Sequence, residues 1–434
     1  MTEHSKYPVI AFASCNRQNL PQNFWETILK EAPSHFLWLG DAVYAKGHSI
    51  NKLHKAFQEL LASSNYQQLV QKAVVDGVWD DHDYGVNDAG ADAGHSDERQ
   101  SEYLAFLQGS GYKQIGDLIH QEGLYHSLDI PISSNSRRHI KVLFLDTRTF
   151  RSVHYIRSLG EFRFPLSAII ASAIRGAYSV MGYGRSYDGK ILGEAQWGWL
   201  EDTLKHNTAD AHIIISSIQV LTSNPVFESW GHFPVEKQRL LALLDTHKKN
   251  HNTVFLSGDV HLGEVSKVTY TYTPPSPSPS PSALQLVEVT SSGLTHTCAC
   301  GKLNGVLCPI MMDMFSAHRV QADAYYTGRN YGVIHVLPVE NSTGNFKLQF
   351  EVKSLEQPGS TVLTHTLTIP YSDQDPNTSP YPSVASIHAP DFPLLPLPVR
   401  VLVYVFVMGV VYVGYRLMRR VLGGVGHTIR SKRE

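Results

Sequence analysis

Residues His35–Tyr44 read HFLWLGDAVY. Phe36 to Leu39 is an unbroken apolar run of strand length, and Gly40 breaks it directly before Asp41. The run predicts a buried strand that delivers a carboxylate to the edge of its sheet. If that strand is central in an α/β layer, Asp41 lies at the carboxyl end, where such folds take their ligands, and Tyr44 follows within one turn.

Working outward, VIAFASC (residues 9–15) predicts a strand ending in Ser14-Cys15, and NFWETILKEA has helical spacing before the strand quoted above. Helical spacing returns from Asn51 to Gln71. AVVDGVW then predicts a strand that runs into Asp80-Asp81-His82-Asp83, and SDERQSEYLAFLQ a helix with an acidic first turn. KVLFLDTR gives a strand ending at Asp146, followed by a loop-rich stretch from Ser152 to Lys190 and the helix EAQWGWLEDTLKH. After these come the strand HIIISSIQV, the helix PVEKQRLLALLDTHKK opened by proline, and the strand NTVFLSGDVH, which ends at Asp259 and His261. From Glu264 onward EVSKVTYTYT, LQLVEVTSS, YGVIHVLPV and FKLQFEVKS lack intervening helices and read as a second sheet. The expected fold is α/β, a two-sheet sandwich flanked by helices.

The body is expected to span 1–356, with Pro274–Ser282 (PPSPSPSPS) as an extended solvated insertion. Proline, serine and threonine rise over 357–398, which reads as a linker or stalk. From Val401 to Tyr415 the chain carries no charge, with Arg400 and Arg416 at its ends. The run is shorter than the ~20 residues of a typical span, but snorkelling arginines can extend it. A transmembrane helix at 399–418 followed by a basic tail at 419–434 is the expectation, which makes the chain a single-pass membrane protein. The N-terminus, MTEHSKYPVIAFASC, does not resemble a signal peptide.

With 37 basic and 39 acidic side chains the net charge is -2, which gives no pull toward nucleic acid as a partner. The 22 histidines, several beside acids, favour a metal or acid/base site. The four cysteines are too few for a disulfide scaffold. Cys298, Cys300 and Cys308 lack a fourth zinc ligand and the CxxC spacing of a zinc ribbon, so a local disulfide or reduced thiols is expected there. The sequons at Asn341 and Asn377 matter only in a luminal body.

Polar residues gather at strand ends: Cys15, Asp41 with Tyr44, Asp81 with His82, and Asp259 with His261. Thiolate, phenolate, carboxylate and imidazole together form a metal-ligand set. Two ions fit such a set better than one. Asp41 has two oxygens with which to bridge them; three anionic ligands suit ferric iron, and an oxygen-rich set around Asp81 and Asp259 suits calcium, magnesium or manganese.

In order, Ser14-Cys15, GDAVY, WDDHDYGVND, LDTRTFR, LGEAQWGWLEDTL, SIQV, ESWGHFPVEKQRLL, SGDVH and EVTSSG resemble the alkaline phosphatase D (PhoD-like) branch of the calcineurin-like metallophosphoesterases, from Val9 to Pro338. The resemblance implies an αββα metallophosphoesterase fold and an enzyme that hydrolyses phosphate esters, monoesters or diesters, through metal-activated hydroxide; the Pro/Ser insertion and the expected C-terminal anchor are additions to that family core. Matched by position, Cys15, Asp41, Tyr44 and His261 would ligate Fe3+, with Asp41 bridging to a second ion, often Ca2+. Asp81 and Asp259 would ligate that second ion, with Asn87 and Gln219 near it. His82 matches a histidine that contacts the phosphate and protonates the leaving oxygen, and Arg148 could pair with phosphate or close an ion pair with Asp146. His232 departs from the family, which commonly has tyrosine there. The competing expectation is a catalytically inactive membrane protein that keeps the fold as a scaffold.

Overall fold

The computed structural model describes residues 7–155, 167–245, 252–272, 282–340, 344–370 and 392–406, apart from 46, 48, 86, 95, 115, 117, 134, 135 and 207, and describes 408, 409, 412 and 416 beyond the last stretch. In chain order the elements are β1 (Val9–Ala13), α1 (Phe24–Leu29), β2 (His35–Leu39), α2 (Ile50–Leu61), α3 (Ser64–Val70), β3 (Val74–Val78), α4 (Asp81–Tyr84) and α5 (Ser96–Gly109). They continue with β4 (His126–Pro131), β5 (His139–Leu145), α6 (Ser167–Val180), α7 (Gly193–Lys205), β6 (Ala211–Ser216), α8 (Pro234–Asp245), β7 (Thr253–Ser257), β8 (Gly263–Tyr272) and β9 (Ser282–Ser291). The remainder is α9 (Asn304–Met314), β10 (Tyr325–Tyr326), β11 (Asn330–Pro338), β12 (Phe346–Ser354) and β13 (Thr361–Ile369).

Two mixed sheets result, ordered β13-β12-β11-β1-β2-β3 and β10-β8-β9-β7-β6-β5-β4. The runs β1-β2-β3 and β5-β6-β7-β9 are parallel. Strands buried on both faces need apolar residues at successive positions, and the central strands of the second sheet have them. Val142 and Phe144 of β5, Ile213 and Ile215 of β6, and Val254 and Leu256 of β7 belong to the large core shared with the first sheet. The alternate residues Leu143, Leu145, Ile214 and Phe255 turn the other way and pack with Trp197 and Leu200 of α7 and Leu240, Leu241 and Leu244 of α8. On the first sheet, Trp38 of β2 meets Trp25 and Tyr66 in the layer formed by α1 and α3, and its indole N–H donates to the Tyr66 hydroxyl at 3.2 Å.

The late strands do not make a sheet of their own. β8 and β9 extend the second sheet, whereas β11, β12 and β13 extend the first. The helix α9, with Pro309 inside it, lies between them. Residues 361–369, whose threonines and position suggest a stalk, are β13 at the edge of the first sheet. The Pro/Ser insertion joins the antiparallel pair β8 and β9, and its residues 273–281 lie outside the described ones.

The membrane span is a second correction. No helix among the described residues is long and apolar enough to cross a membrane. A helical turn begins at residue 397, but the uncharged run falls short of a bilayer thickness and the sequence sets Gly409 and Gly414 within it. The approach to this helix folds back on the body instead. The Leu395 N–H donates to the Val180 carbonyl at 3.0 Å, and Arg185 donates to the Phe392 carbonyl at 2.6 Å. The expected single-pass localisation and membrane partner therefore lose their basis. The basic tail 419–434 and both sequons lie outside the described residues.

Candidate metal centre

Because β1, β2 and β3 run parallel, their carboxyl ends open on one side, and β7 of the other sheet opens toward the same place. β1, β2 and β7 deliver their ligands through a sharp reversal, and β3 through the start of α4. Among the described residues, six that are not glycine have positive φ; five of them are Cys15 (63°), Asp41 (52°), Asp88 (56°), Asp259 (67°) and His261 (58°), and the sixth is Ala32. Left-handed backbone is unfavourable for a residue with a Cβ, and its concentration at one cleft marks a strained, over-determined site. Gly40, at φ 96°, makes the turn possible: a Cβ there would meet the Asp80 Cβ at 2.4 Å.

Three sets of side chains have ligand atoms within 4.8 Å of one another and share members: Cys15, Asp41 and His261; Asp41, Asp81 and His82; and Asp80, Asp81 and Asp259. Asp41 stands in the first two. The Cys15 thiol lies 3.7 Å from an Asp41 oxygen and 3.0 Å from the Ser292 hydroxyl. The other Asp41 oxygen accepts from the His82 backbone N–H at 3.1 Å. Tyr44 and His261 meet at 3.0 Å, and the Tyr44 ring stacks on His82 with centroids 4.1 Å apart.

The electrostatics of this cluster call for cations. Burial, and then the charges of Asp81, Asp80 and Asp83, push the Asp41 carboxyl well up. Burial likewise raises Asp259, with Asp80 and Glu228 adding to it. The Cys15 thiol is raised by burial and by Asp41, and the Tyr44 hydroxyl by burial, Asp41 and Cys15. Burial lowers His261 to about 3, which leaves it neutral and able to ligate. One oxygen of Asp80 and one of Asp81 are buried without a hydrogen-bond partner among the described residues. Acids packed in this way, with free lone pairs, fit hard cations, and the thiol–phenol–imidazole side fits a softer transition metal.

The remaining charged residues brace the site. Asp83 accepts from the backbone N–H groups of Ala42, Val43 and Asp80, which ties the turn after β2 to α4. Arg148 is fully buried; it donates to Asp80 at 2.6 Å and to both Glu228 oxygens at 3.1 Å. Its backbone, rather than its guanidinium, bonds Asp146. Gln219 is also buried, and its amide donates to Glu264 at 2.6 Å and to the Thr290 hydroxyl at 3.0 Å. Asn87 lines the cavity beside Asp259. The His232 Nε2–H donates to the Phe227 carbonyl at 3.0 Å, and its ring faces that of Phe392.

Several residues of the site escape a reading of the sequence. Asp88 and Glu228 form a further set with Asp81, and Arg175 pairs with Asp88 at 2.6 Å. His296 packs 4.3 Å from the His261 ring, and its Nε2 is buried with no partner among the described residues. The signal available for His296 is that it follows the polar end of β9, as the other site residues follow their strands.

The comparisons agree with this geometry. No curated protein matches the chain. A solved structure described as the structure of PhoD superposes with a TM-score of 0.54 at 16% identity, covering 84% of this chain and 68% of that one, a likeness of fold. The model of the PhoD-like phosphatase family matches residues 10–338, well over half of the chain and including every strand that supplies the cleft. A metal-dependent phosphoesterase on this two-sheet scaffold, the chain belongs to the PhoD-like phosphatase family.

Proposed function

We propose that the cleft holds two ions and hydrolyses phosphate monoesters or diesters. Cys15, Asp41, Tyr44 and His261 would hold ferric iron; Asp41, Asp81 and Asp259 would hold a divalent ion, calcium or otherwise magnesium or manganese. The observation that carries this reading is the sharing of Asp41 between a set that contains a thiol and a set that contains only carboxylates and His82. When bound, two such cations supply Lewis acidity toward the phosphoryl oxygens and make water acidic enough to attack at neutral pH.

The protein's own groups do the rest. Stacking on Tyr44 and the bond from its backbone N–H to Asp41 orient His82 over the cleft. Burial lowers the His82 pKa, so the ring is neutral and keeps one N–H to give. As the oxygen of water bonds to phosphorus and the ester P–O bond breaks, an imidazole nitrogen of His82 delivers its proton to the departing alkoxide, and the proton that the attacking water gives up returns to the ring, so that phosphate and alcohol leave with His82 neutral again. Arg148 is a positioning residue, holding Asp80 and Glu228 behind the ligands. Metal analysis beside turnover of a chromogenic phosphate ester tests the reading: iron and a divalent ion are expected in the purified protein, and Asp41→Asn is expected to lose both metal and turnover. An Asp41→Asn protein with full metal content and full activity would overturn it.

A further inference from the structure

One cavity of about 770 Å3 opens from the metal centre. Its two ends differ in character. Asp259, His261, Asp88 and Arg175 line the inner end, beside the ligands described above. The rest of the lining is mainly hydrocarbon and sulfur, with Leu307 and Met311 from α9, Val180 from α6, Val226, and Leu394 from the returning C-terminal segment, and Asn304 at the start of α9 as a polar exception.

Three covalent or hydrogen-bonded ties hold these walls in place against the centre. The disulfide Cys298–Cys308 staples α9 to the loop whose Cys298 N–H donates to the His261 carbonyl at 2.8 Å, so that wall is built on a metal-ligand candidate. The opposite wall is closed by the Leu395 to Val180 backbone bond, which brings residue 394 across the opening. The volume suits a ligand far larger than phosphate. An alcohol rich in hydroxyls, such as a sugar or nucleoside, would lose its water here and find few partners along those walls, whereas a hydrocarbon gains by leaving water.

We infer that this groove receives the alcohol portion of the substrate and that the alcohol is a long hydrocarbon: the preferred ester is an amphiphile with its phosphate at one end. The inference rests on the phosphate-binding role proposed for the metal centre. The occupant is the apolar tail of the substrate itself, because the groove is continuous with the site that would hold its phosphate.

The test measures binding apart from turnover. Butyl- and octylphosphonate, which cannot be hydrolysed, are titrated calorimetrically into the metal-loaded protein below their micellar concentrations. At about 0.8 kcal/mol per buried methylene the octyl compound is expected to bind on the order of a hundredfold more tightly. Leu307→Asn with Met311→Asn, at half-buried positions, is expected to reduce that ratio below about tenfold. Equal affinities in the wild type, or an undiminished ratio in a folded double variant, would overturn the inference. Hydrolysis of butyl and octyl phosphate is followed in parallel. A chain-length gain in binding with neither ester hydrolysed would retire the proposed catalytic mechanism and support the groove; hydrolysis of both with flat binding would do the opposite.

Discussion

Tyr44 and His261 are 217 residues apart in the chain and meet at 3.0 Å, hydroxyl oxygen to Nε2. One follows β2 of the first sheet and the other β7 of the second, so their contact bridges the sandwich at its open edge. Neither residue is held by packing alone: the Tyr44 backbone N–H donates to the Gln18 side-chain oxygen at 3.0 Å, and that of His261, at φ 58°, to the Ser292 hydroxyl at 2.9 Å.

Tyr44→Phe keeps the ring that stacks on His82 and removes the oxygen. The expected result is a folded protein whose iron affinity falls by roughly 10–100-fold, the range that even outer-shell losses reach. Iron per chain after equilibration at graded free iron, together with an unchanged circular dichroism spectrum, checks it. Unaltered iron stoichiometry would remove Tyr44 from the ligand set.

Metal removal is expected to destabilise the fold, since Asp81 is then left beside Asp41 on one side and beside Asp80 and Asp259 on the other with no cation between them. An ion present at a thousand times its dissociation constant contributes about 4 kcal/mol, or roughly 5 °C in Tm for a chain this long. The check is a thermal melt with and without exhaustive chelation. In Asp41→Asn the difference is expected to shrink severalfold, because less repulsion is left behind and less metal was bound. A melting temperature indifferent to chelators in the wild type would contradict the assignment of the acids.

Much of this site is legible in the sequence because strand and ligand are adjacent there. An apolar run followed by Gly40-Asp41, or by Gly258-Asp259-Val260-His261, carries both the element and the residue at its end. The second ring of groups is not adjacent to any such run: Asp88 and Glu228 come from connections and Arg175 from α6, and only folding brings Asp88 and Glu228 to Asp81 and Arg175 to Asp88. Sheet membership is hidden for a similar reason. The strands from β8 onward have the right local pattern, yet which edge each one joins depends on pairing over long separations, as Val9 with His335 shows. The helix α9 is obscured by Pro309, which reads as a breaker. The uncharged run near the C-terminus misleads in the other direction, since apolarity without sufficient length predicts a span that no described helix provides.

Arg148 distinguishes a brace from a phosphate ligand. Its guanidinium is enclosed between Asp80 and Glu228, and although burial opposes its charge, the two acids raise its pKa well above the ordinary arginine value. Arg148→Met leaves two buried acids without their shared cation, and a loss of about 3–5 kcal/mol is expected in urea unfolding. Arg148→Lys is expected to restore little, since one ammonium cannot reproduce the forked contacts. A variant of wild-type stability with a raised KM alone would instead make Arg148 a substrate contact.

The buried pair His126–Asp76 gives a dependence on pH away from the metal centre. The His126 Nε2 lies 2.9 Å from Asp76, and its Nδ1 lies 2.7 Å from the Leu124 carbonyl. Burial works to lower the His126 pKa, but the Asp76 charge and the two hydrogen bonds outweigh it and raise the pKa above the ordinary value. The protonated ring is therefore favoured more in the folded chain than in the unfolded one, so the contribution is complete below the unfolded pKa of about 6.5 and is lost as pH rises through the raised folded value. His126→Gln, which cannot carry the charge, is expected to unfold at a lower urea concentration than the wild type at pH 6, by about 3–5 kcal/mol if Asp76 is left unpaired. The gap is expected to narrow steadily toward pH 9. Urea midpoints of both proteins across that interval decide it, and a gap that is constant or widens with pH would mean that His126 is neutral in the fold.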